Sequence, residues 1–164
     1  MNILVINLCL RPYSVVKFFP IGLGYIVTAM KNAGYDFDLL DIDLHRYSDE
    51  EVLNYIKKKK YDVICMGAIV TGYKYVKNLS LEIKKIYPDS IIISGNSVAT
   101  SIPEILLKNT GVDVGVLGEG DITIVEVLDA IKNKKDFSGV QGICYKFEKE
   151  IKYVPLKGET VQKL

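Results

Sequence analysis

The residues best suited to chemistry in this chain are its single histidine, His45, and its three cysteines, Cys9, Cys65 and Cys144. A protein metal site usually needs three or four such ligands at short spacings, whereas these cysteines are far apart. No serine lies in a G-x-S-x-G pattern, and no nucleophile can be paired with a base. We therefore expect no complete metal site and no catalytic activity from this chain alone.

Small residues that follow short apolar runs form the second group of candidates. The runs at residues 91–94 and 113–117 are rich in Ile or Val and lead into Gly95 and Gly118, which predicts strands buried on both faces. In open α/β sheets, ligands bind outside the carboxyl ends of such strands. Small residues there let a ligand approach the backbone closely. The loops after strands one, three, four and five are therefore the candidate ligand-binding elements.

Alternating strands and helices are predicted along most of the chain. Ser48 and Glu51 form a capping-box pattern that begins the second helix, and Gly34 is placed to end the first. Strands are predicted at residues 2–8, 35–41, 62–67, 90–94 and 113–117. Longer helices are predicted at residues 22–33, from Ser48 into the lysine run 57–60, and at 73–87, 103–109 and 121–133.

This order of elements predicts an α/β fold with a doubly wound, flavodoxin-like or Rossmann-like parallel sheet. Right-handed crossovers favour five strands in the order 2-1-3-4-5 with helices on both faces. Residues 142–146 and 150–154 are expected to form a small C-terminal strand pair. We expect one α/β domain over residues 1–147, followed by a terminal strand and linker over residues 148–164.

Composition argues against several classes of partner. The 164 residues carry a net charge of +1, which gives no long-range field to attract nucleic acid or an anionic membrane. No apolar stretch is long enough to span a bilayer, and the N-terminus shows no cleavable signal pattern. The sparse cysteines fit a reducing compartment. We therefore expect a cytoplasmic protein with neither nucleic acid nor membrane as a partner.

Motifs for the common ligands of this fold class are absent or incomplete. Gly22 and Gly24 suggest a dinucleotide fingerprint, but Val27 occupies the third glycine position and about a dozen residues separate the motif from its strand. The ends of strands one and three lack the carboxylates of a phosphoacceptor domain. The loop after strand one, with Arg11, matches a flavodoxin phosphate loop poorly.

Taken together, the loops resemble the N-terminal cobalamin-binding domain of cobalamin-dependent radical SAM enzymes, over most of residues 1–145. Residues 20–25 resemble the Pro-x-Gly-Leu-x-Tyr opening of that domain's first helix, and Gly34, Tyr35 and Asp41 match its next turn and strand end. The matching later segments are Thr71-Gly72-Tyr73, residues 94–100 with Pro103-Glu104, and residues 118–121 with Thr123. The chain departs from the pattern with Ser94 in place of glycine, and with Asn96-Ser97 in place of Pro-His.

This resemblance implies cobalamin as the cofactor, held without a histidine ligand to cobalt. His45 lies in an Asp-x-His pattern similar to one by which other cobalamin-binding folds ligate cobalt. It follows the second strand rather than the first, however, and Ser48 replaces the glycine. The lower cobalt face is instead left to residues 68–73, with Tyr73 packing under the corrin. The expected cofactor-binding residues are Cys9, Arg11, Pro12, Tyr13, Thr71, Gly72, Tyr73, Ser94, Gly95, Asn96, Ser97, Gly118, Glu119 and Gly120.

The same resemblance implies a function within a larger enzyme, most simply a methyltransferase. In the family, reduced cobalt takes a methyl group from S-adenosylmethionine and passes it to a substrate radical. The radical chemistry needs a Cys-x-x-x-Cys-x-x-Cys segment that holds a [4Fe-4S] cluster, and this sequence lacks one. A radical SAM domain, in the same polypeptide or in a partner subunit, is thus expected, with residues 158–164 leading towards it. Two alternatives stay open: a non-catalytic, flavodoxin-like interaction domain that has lost its cofactor, and a module for a flavin or another flat ligand.

Overall fold

The computed structural model describes residues 1–148 and 150–156. Within them, one seven-stranded sheet has the order β2-β1-β3-β4-β5-β6-β7. The first five strands are parallel, and the last two are antiparallel. The predicted fold class and strand order are therefore confirmed. The strands are β1 (Ile3–Asn7), β2 (Asp38–Asp41), β3 (Val63–Gly67), β4 (Ile91–Gly95), β5 (Val114–Val116), β6 (Ile143–Phe147) and β7 (Glu150–Val154).

Helices cover both faces of this sheet and bury two separate cores. Helices α1 and α7 pack on one face and α3 to α6 on the other, because the inward strand residues alternate between the two. None of the described helices is long and apolar enough to cross a bilayer. The helices are α1 (Ile21–Asn32), α2 (Ile42–His45), α3 (Asp49–Lys57), α4 (Tyr73–Ile86), α5 (Ser97–Ser101), α6 (Pro103–Asn109) and α7 (Asp121–Lys132), with a 3-10 turn at Val70–Gly72.

Local capping chemistry sets two helix ends where the sequence predicts them. The Ser48 hydroxyl accepts a hydrogen bond from the Glu51 amide, and the Glu51 carboxylate accepts one from the Ser48 amide, so the capping box at α3 is confirmed. Gly34 follows α1 with φ of +80°, and its amide donates to the Lys31 carbonyl. Glycine suits that left-handed conformation because it has no Cβ.

Other element boundaries differ from the prediction for identifiable reasons. The second strand begins at Asp38 rather than at residue 35, because Tyr35 packs into the core beneath α1 and α7. Helices α2 and α5 were not predicted, since four and five residues are too few to show an apolar period. The C-terminal strand pair extends the main sheet through β5, with Cys144 buried against it. The predicted connector at residues 158–164 lies outside the described residues.

Candidate functional site

A cavity of about 440 Å³ opens at the carboxyl edge of the parallel strands, between the sheet and helices α1 and α7. Its inner walls are apolar on the sheet side as well as on the helix side. Burial raises the pKa of the Cys65 thiol to about 12, so this wall residue stays neutral at physiological pH. The cavity therefore suits a flat, uncharged group. The apolar wall residues are Leu23, Ile26, Cys65, Ile93, Val116 and Ile124.

Glycines keep the cavity open at the strand ends. Gly67 and Gly95 are paired at the last position of β3 and β4, and a Cβ on Gly67 would lie 3.2 Å from the Gly95 carbonyl oxygen. A Cβ on Gly95 would meet nothing nearer than the Val116 Cβ, at 4.0 Å. Gly95 thus faces free space in the cavity, where a ligand could approach the backbone closely.

Hydrogen bonds join the loops around the cavity into one rim. The Val70 amide donates to the Ser97 hydroxyl at 3.1 Å, which ties the loop after β3 to the loop after β4. The Gly118 amide donates to the Thr100 hydroxyl at 3.0 Å, which ties α5 to the loop after β5. Because the rim is already ordered, a ligand bound there would lose little affinity to loop ordering.

Asn96 occupies a backbone conformation that normally belongs to glycine. Its φ of 67° and ψ of −169° place it in a region where a Cβ is strained. The side-chain oxygen of Asn96 accepts a hydrogen bond from the Ser97 amide at 2.6 Å and so caps α5. Strain of this kind is concentrated at binding sites, and here it sits directly on the cavity rim.

A second depression, a groove of about 650 Å³, lies between the loop after β1 and the beginnings of α3 and α4. Cys9 and Pro12 line it from the loop, and Thr71 and Gly72 line it from the beginning of α4. Gly72 is tightly packed, since a Cβ there would lie 2.8 Å from both the Ala68 Cβ and Leu10 Cδ2. This glycine is therefore required by packing whether or not a ligand binds.

The predicted site residues fall into separate groups. Six predicted residues, at the end of β4 and in the loops after β4 and β5, come together at the cavity. Four others, from the loops after β1 and β3, come together at the groove. Arg11 and Tyr13 lie on the exposed surface of the β1 loop. The cavity is lined by Gly95, Asn96, Ser97, Gly118, Glu119 and Gly120, and the groove by Cys9, Pro12, Thr71 and Gly72. The role of these residues in cofactor binding stays a prediction.

Besides Arg11 and Tyr13, two more predicted site residues line neither depression, namely Tyr73 and Ser94. Tyr73 packs against the core beneath α3 to α6, and the large apolar side chains exposed on the loop before it belong to Ile69 and Val70. Ser94 is fully buried in β4, and its hydroxyl has no hydrogen-bond partner among the described residues.

Sequence reasoning missed most of the cavity wall. Cys65, Ile93 and Val116 occupy corresponding inward positions near the ends of neighbouring strands, so alternation along each strand could have identified them. Pro20 and Leu23 belong to the helix opening that carried the resemblance, yet they were not predicted as site residues. Apolar residues of this kind give no chemical signal in the sequence, which is why the prediction favoured glycines and polar residues.

His45 is placed away from both depressions. Its ring stacks on Tyr47 with 5.0 Å between centroids. Asp43 does not orient this ring, since its carboxylate accepts hydrogen bonds from Arg46 and from the Phe18 amide. Among the described residues, no group of three or more His, Cys, Asp or Glu side chains could hold a metal ion.

Curated relatives of this chain are much longer than it is. The anaerobic magnesium-protoporphyrin IX monomethyl ester cyclase of Synechocystis sp. is 27% identical over 135 residues, which cover 80% of this chain and 27% of the cyclase. The cytidylyl-2-hydroxyethylphosphonate methyltransferase of Streptomyces wedmorensis is 23% identical over 146 residues, covering 78% of this chain and 27% of that enzyme. The chain thus spans less than a third of the length of these relatives.

Solved structures with the same fold include two cobalamin-containing enzymes. The radical S-adenosylmethionine methyltransferase TsrM from Kitasatospora setae, solved with cobalamin and a [4Fe-4S] cluster bound, gives a TM-score of 0.81 at 21% identity. That match covers 98% of this chain and 30% of TsrM. The cobalamin-dependent S-adenosylmethionine radical enzyme OxsB gives a TM-score of 0.78 at 19% identity, covering 98% and 22%. At these identities the likeness establishes the fold.

Family membership is established separately, by the sequence. The profile of the B12 binding domain matches residues 13–128. The matched range begins in the loop after β1 and ends inside α7, so it contains the cavity lining except for Ile6 and Asn7 of β1. The predicted resemblance is confirmed: this chain belongs to the B12 binding domain family.

Proposed function

We propose that this chain holds cobalamin at the carboxyl edge of its sheet, without a histidine ligand to cobalt, as a module of a radical SAM methyltransferase. The observation that carries this proposal is the apolar cavity of about 440 Å³ framed by glycines at the strand ends. Membership of the B12 binding domain family and the methyltransferases among the relatives support it.

The cavity and its rim fit the two parts of cobalamin. Apolar walls and the space beside Gly95 suit the flat base of the nucleotide tail. The corrin ring is broad and flat, so it needs several loop edges rather than one deep pocket. The rim offers such edges from three strand ends that hydrogen bonds already hold together, and it exposes Ile69 and Val70 as apolar contacts.

The position of His45 supports the proposal that cobalt is held without a histidine ligand. This histidine lines neither the cavity nor the groove, and it stacks on Tyr47 instead. We infer that Ile69 and Val70, whose side chains are exposed on the loop after β3, would contact bound cobalamin where the prediction placed Tyr73. Bound cobalamin would supply a cobalt centre for methyl transfer from S-adenosylmethionine, and this chain would hold and shield it.

A second domain is implied by the apolar surface around the same edge. Tyr13 is 100% exposed, Val15 is 96% exposed and Ile21 is 75% exposed. Phe18, in the same loop as Tyr13, and Ile122, at the beginning of α7, are also exposed. Large exposed apolar patches mark interaction sites. We propose that a radical SAM domain carrying the [4Fe-4S] cluster covers this surface, with residues 148–164 as the linker if the two are in one polypeptide.

The open cavity does not favour the alternative of an interaction domain that has lost its cofactor. Such a domain is expected to have a crevice filled by its own side chains, whereas Gly95 here faces free space. A flavin would need a phosphate-binding loop after β1, but residues 9–20 expose mainly apolar side chains there. Cobalamin therefore agrees best with the geometry.

The test is retention of a corrinoid by the purified chain. The protein is mixed with hydroxocobalamin or, separately, with flavin mononucleotide, and each sample is desalted before its visible spectrum is recorded. We expect about one corrin per chain, no flavin, and an identical corrin spectrum for His45→Ala. Loss of all corrin absorbance on desalting would refute cobalamin binding, and a changed spectrum in His45→Ala would refute binding without histidine.

A further inference from the structure

The loop between β1 and α1 (residues 8–20, called here the β1 loop) is anchored at its beginning by Leu8, Cys9 and Leu10, but residues 11–19 are not held in place by burial of their own side chains. Tyr13 is fully exposed and Val15 is 96% exposed. Within the loop, the Ser14 amide donates to the Arg11 carbonyl, and the Val16 amide donates to the Ser14 hydroxyl. Two local hydrogen bonds cannot fix a loop of this length, so its shape must depend on contacts with other elements.

Most of those contacts come from one side chain, Arg46, which directly follows α2. Its Nη1 donates to Cys9 Sγ at 2.6 Å and to the Arg11 carbonyl at 3.0 Å. Its Nη2 donates to the carbonyls of Ser14 at 3.0 Å and Val16 at 3.1 Å. The planar guanidinium holds several loop positions at once, which the single nitrogen of a lysine could not do.

Asp43 and Asn7 complete this arrangement. Asp43 is 4% exposed and accepts from Arg46 through Oδ1, at 2.9 Å, and from the Phe18 amide through Oδ2, at 2.5 Å. Asn7 Nδ2 donates to the Phe18 carbonyl at 3.1 Å and to Asp41 at 2.8 Å. Asn7, Asp43 and Arg46 are called here the loop clamp, and they fix Phe18 by both its amide and its carbonyl.

The β1 loop crosses the carboxyl edge of the sheet from one depression to the other. Cys9, Leu10 and Pro12 line the groove at its beginning, whereas Pro20 lines the cavity at its end. A broad, flat ligand lying on this edge must therefore contact the loop that the clamp holds. A ligand that only enters the cavity would be affected much less, since most of the cavity lining comes from other elements.

We propose that Arg46 is a positioning residue for the corrin ring: by holding the β1 loop, it sets the affinity for the ring and not for the nucleotide tail. This inference rests on the proposed function for the identity of the ligand. Arg46 is assigned no contact with cobalamin itself and acts through the loop that it orders.

Binding of corrinoids with and without a nucleotide tail tests whether Arg46 sets the affinity for the corrin ring alone. Arg46→Lys keeps a positive charge beside the buried Asp43 but loses the fork that reaches four loop positions. We expect it to weaken binding of aquocobalamin and of cobinamide, which lacks the nucleotide tail, by the same factor of about tenfold or more. Gly95→Val, which fills the cavity, should weaken aquocobalamin binding and leave cobinamide binding unchanged.

Limited proteolysis gives a second readout that needs no ligand. Trypsin can cut between Lys17 and Phe18, and the loop clamp holds that peptide bond in the wild type. We expect Arg46→Lys to be cut there at least ten times faster, with little change in its thermal midpoint. Lys31→Gln, which removes an exposed ion pair with Asp36, serves as the control and should behave as the wild type does.

Each outcome decides the proposal. Unchanged affinity for both corrinoids in Arg46→Lys, or a loss confined to aquocobalamin, would overturn the assignment of Arg46 to the ring. If the wild type retains no corrinoid, the proposed function and this role for Arg46 both fail. Faster cutting after Lys17 would in that case still establish Arg46 as the residue that orders the loop.

Discussion

Gly67 and Gly95 lie opposite each other at the ends of β3 and β4, yet a Cβ would have different consequences at the two positions. On Gly67 it would lie 3.2 Å from the Gly95 carbonyl oxygen, so the neighbouring backbone would have to shift by a few tenths of an ångström. On Gly95 the nearest atom would be the Val116 Cβ at 4.0 Å. A side chain would therefore be crowded by backbone at the first position, whereas at the second it would extend into the cavity.

We expect Gly95→Val to reduce the affinity for cobalamin by tenfold or more while leaving the fold intact. The added methyl groups would occupy the space beside the backbone that the nucleotide tail needs, and valine suits the end of a strand. Equilibrium dialysis with aquocobalamin measures the affinity, and urea denaturation checks that the free energy of unfolding changes by less than about 1 kcal/mol.

The matched control for this change is Gly139→Val, because no atom lies within 4 Å of a Cβ there either. Gly139 is exposed and contributes nothing to the cavity lining. Equal cobalamin affinity of Gly95→Val and Gly139→Val would show that the cavity is not where the tail binds.

Gly72 tests whether a predicted site glycine is needed for packing. Its Cβ would lie 2.8 Å from the Ala68 Cβ and from Leu10 Cδ2, and the first of these is fixed to the backbone. We expect Gly72→Ala to destabilise the protein by about 1–3 kcal/mol, the usual range for overpacking. Gly24→Ala is the control: its nearest contact is 3.9 Å, so it should stabilise α1 by about 0.5–1 kcal/mol in urea denaturation. Equal stability of the Gly72→Ala variant and the wild type would mean that Leu10 and the 3-10 turn give way easily.

The fold could be predicted from the sequence because its signals are local and repeated. Each local signal specifies its own element, as the apolar runs do for the strands, the Ser48 capping box for α3 and Gly34 for the end of α1. The right-handedness of crossover connections then favours the strand order. The strand pair beyond β5 was predicted as a pair, but its place in the main sheet depends on packing of residues such as Cys144 against Gly115. No local pattern contains such a contact.

The candidate site was predictable only in part, for the same reason. Glycines at strand ends are visible in the sequence, and those after β4 and β5 do meet at one cavity. The assignment of Tyr73 to the site depends on which way a single side chain points, and in the structure this half-buried ring packs against the core and lines neither depression. Arg46 gave no signal at all, because its partners are mainly backbone carbonyls of residues about 30 positions earlier.

Asn96 should be replaceable by glycine with a gain in stability. Glycine adopts a φ of 67° with a ψ of −169° without strain, which removes a cost of about 1–3 kcal/mol, and it loses only a few tenths as an N-cap. We expect Asn96→Gly to raise the free energy of unfolding by about 1 kcal/mol. Asn96→Ala keeps the strain and loses the cap, so it should lower that free energy by about 1 kcal/mol. Urea denaturation measures both, and an Asn96→Gly variant less stable than the wild type would contradict the strain.

Tyr35 should make the stability of the protein fall at alkaline pH. Burial, the hydrogen bond to the Asp129 carboxylate and the charge of that carboxylate raise its pKa from about 10 to about 12. A raised folded-state pKa means that the stabilisation is complete below pH 10 and is lost as the pH rises towards 12. The loss from this one group is about 1.4 kcal/mol for each pH unit in that window.

Tyr35→Phe isolates this effect from the other ionising groups. At pH 7 the variant should be less stable by about 1 kcal/mol, because it lacks the hydrogen bond to Asp129. Between pH 10 and 12 the wild type alone must release the buried tyrosine proton on unfolding, so the two stabilities should converge and cross near about pH 11. Urea denaturation at intervals from pH 7 to 11.5 measures the difference. A constant gap between the two proteins over that range would mean that Tyr35 ionises as easily in the folded protein as in the unfolded chain.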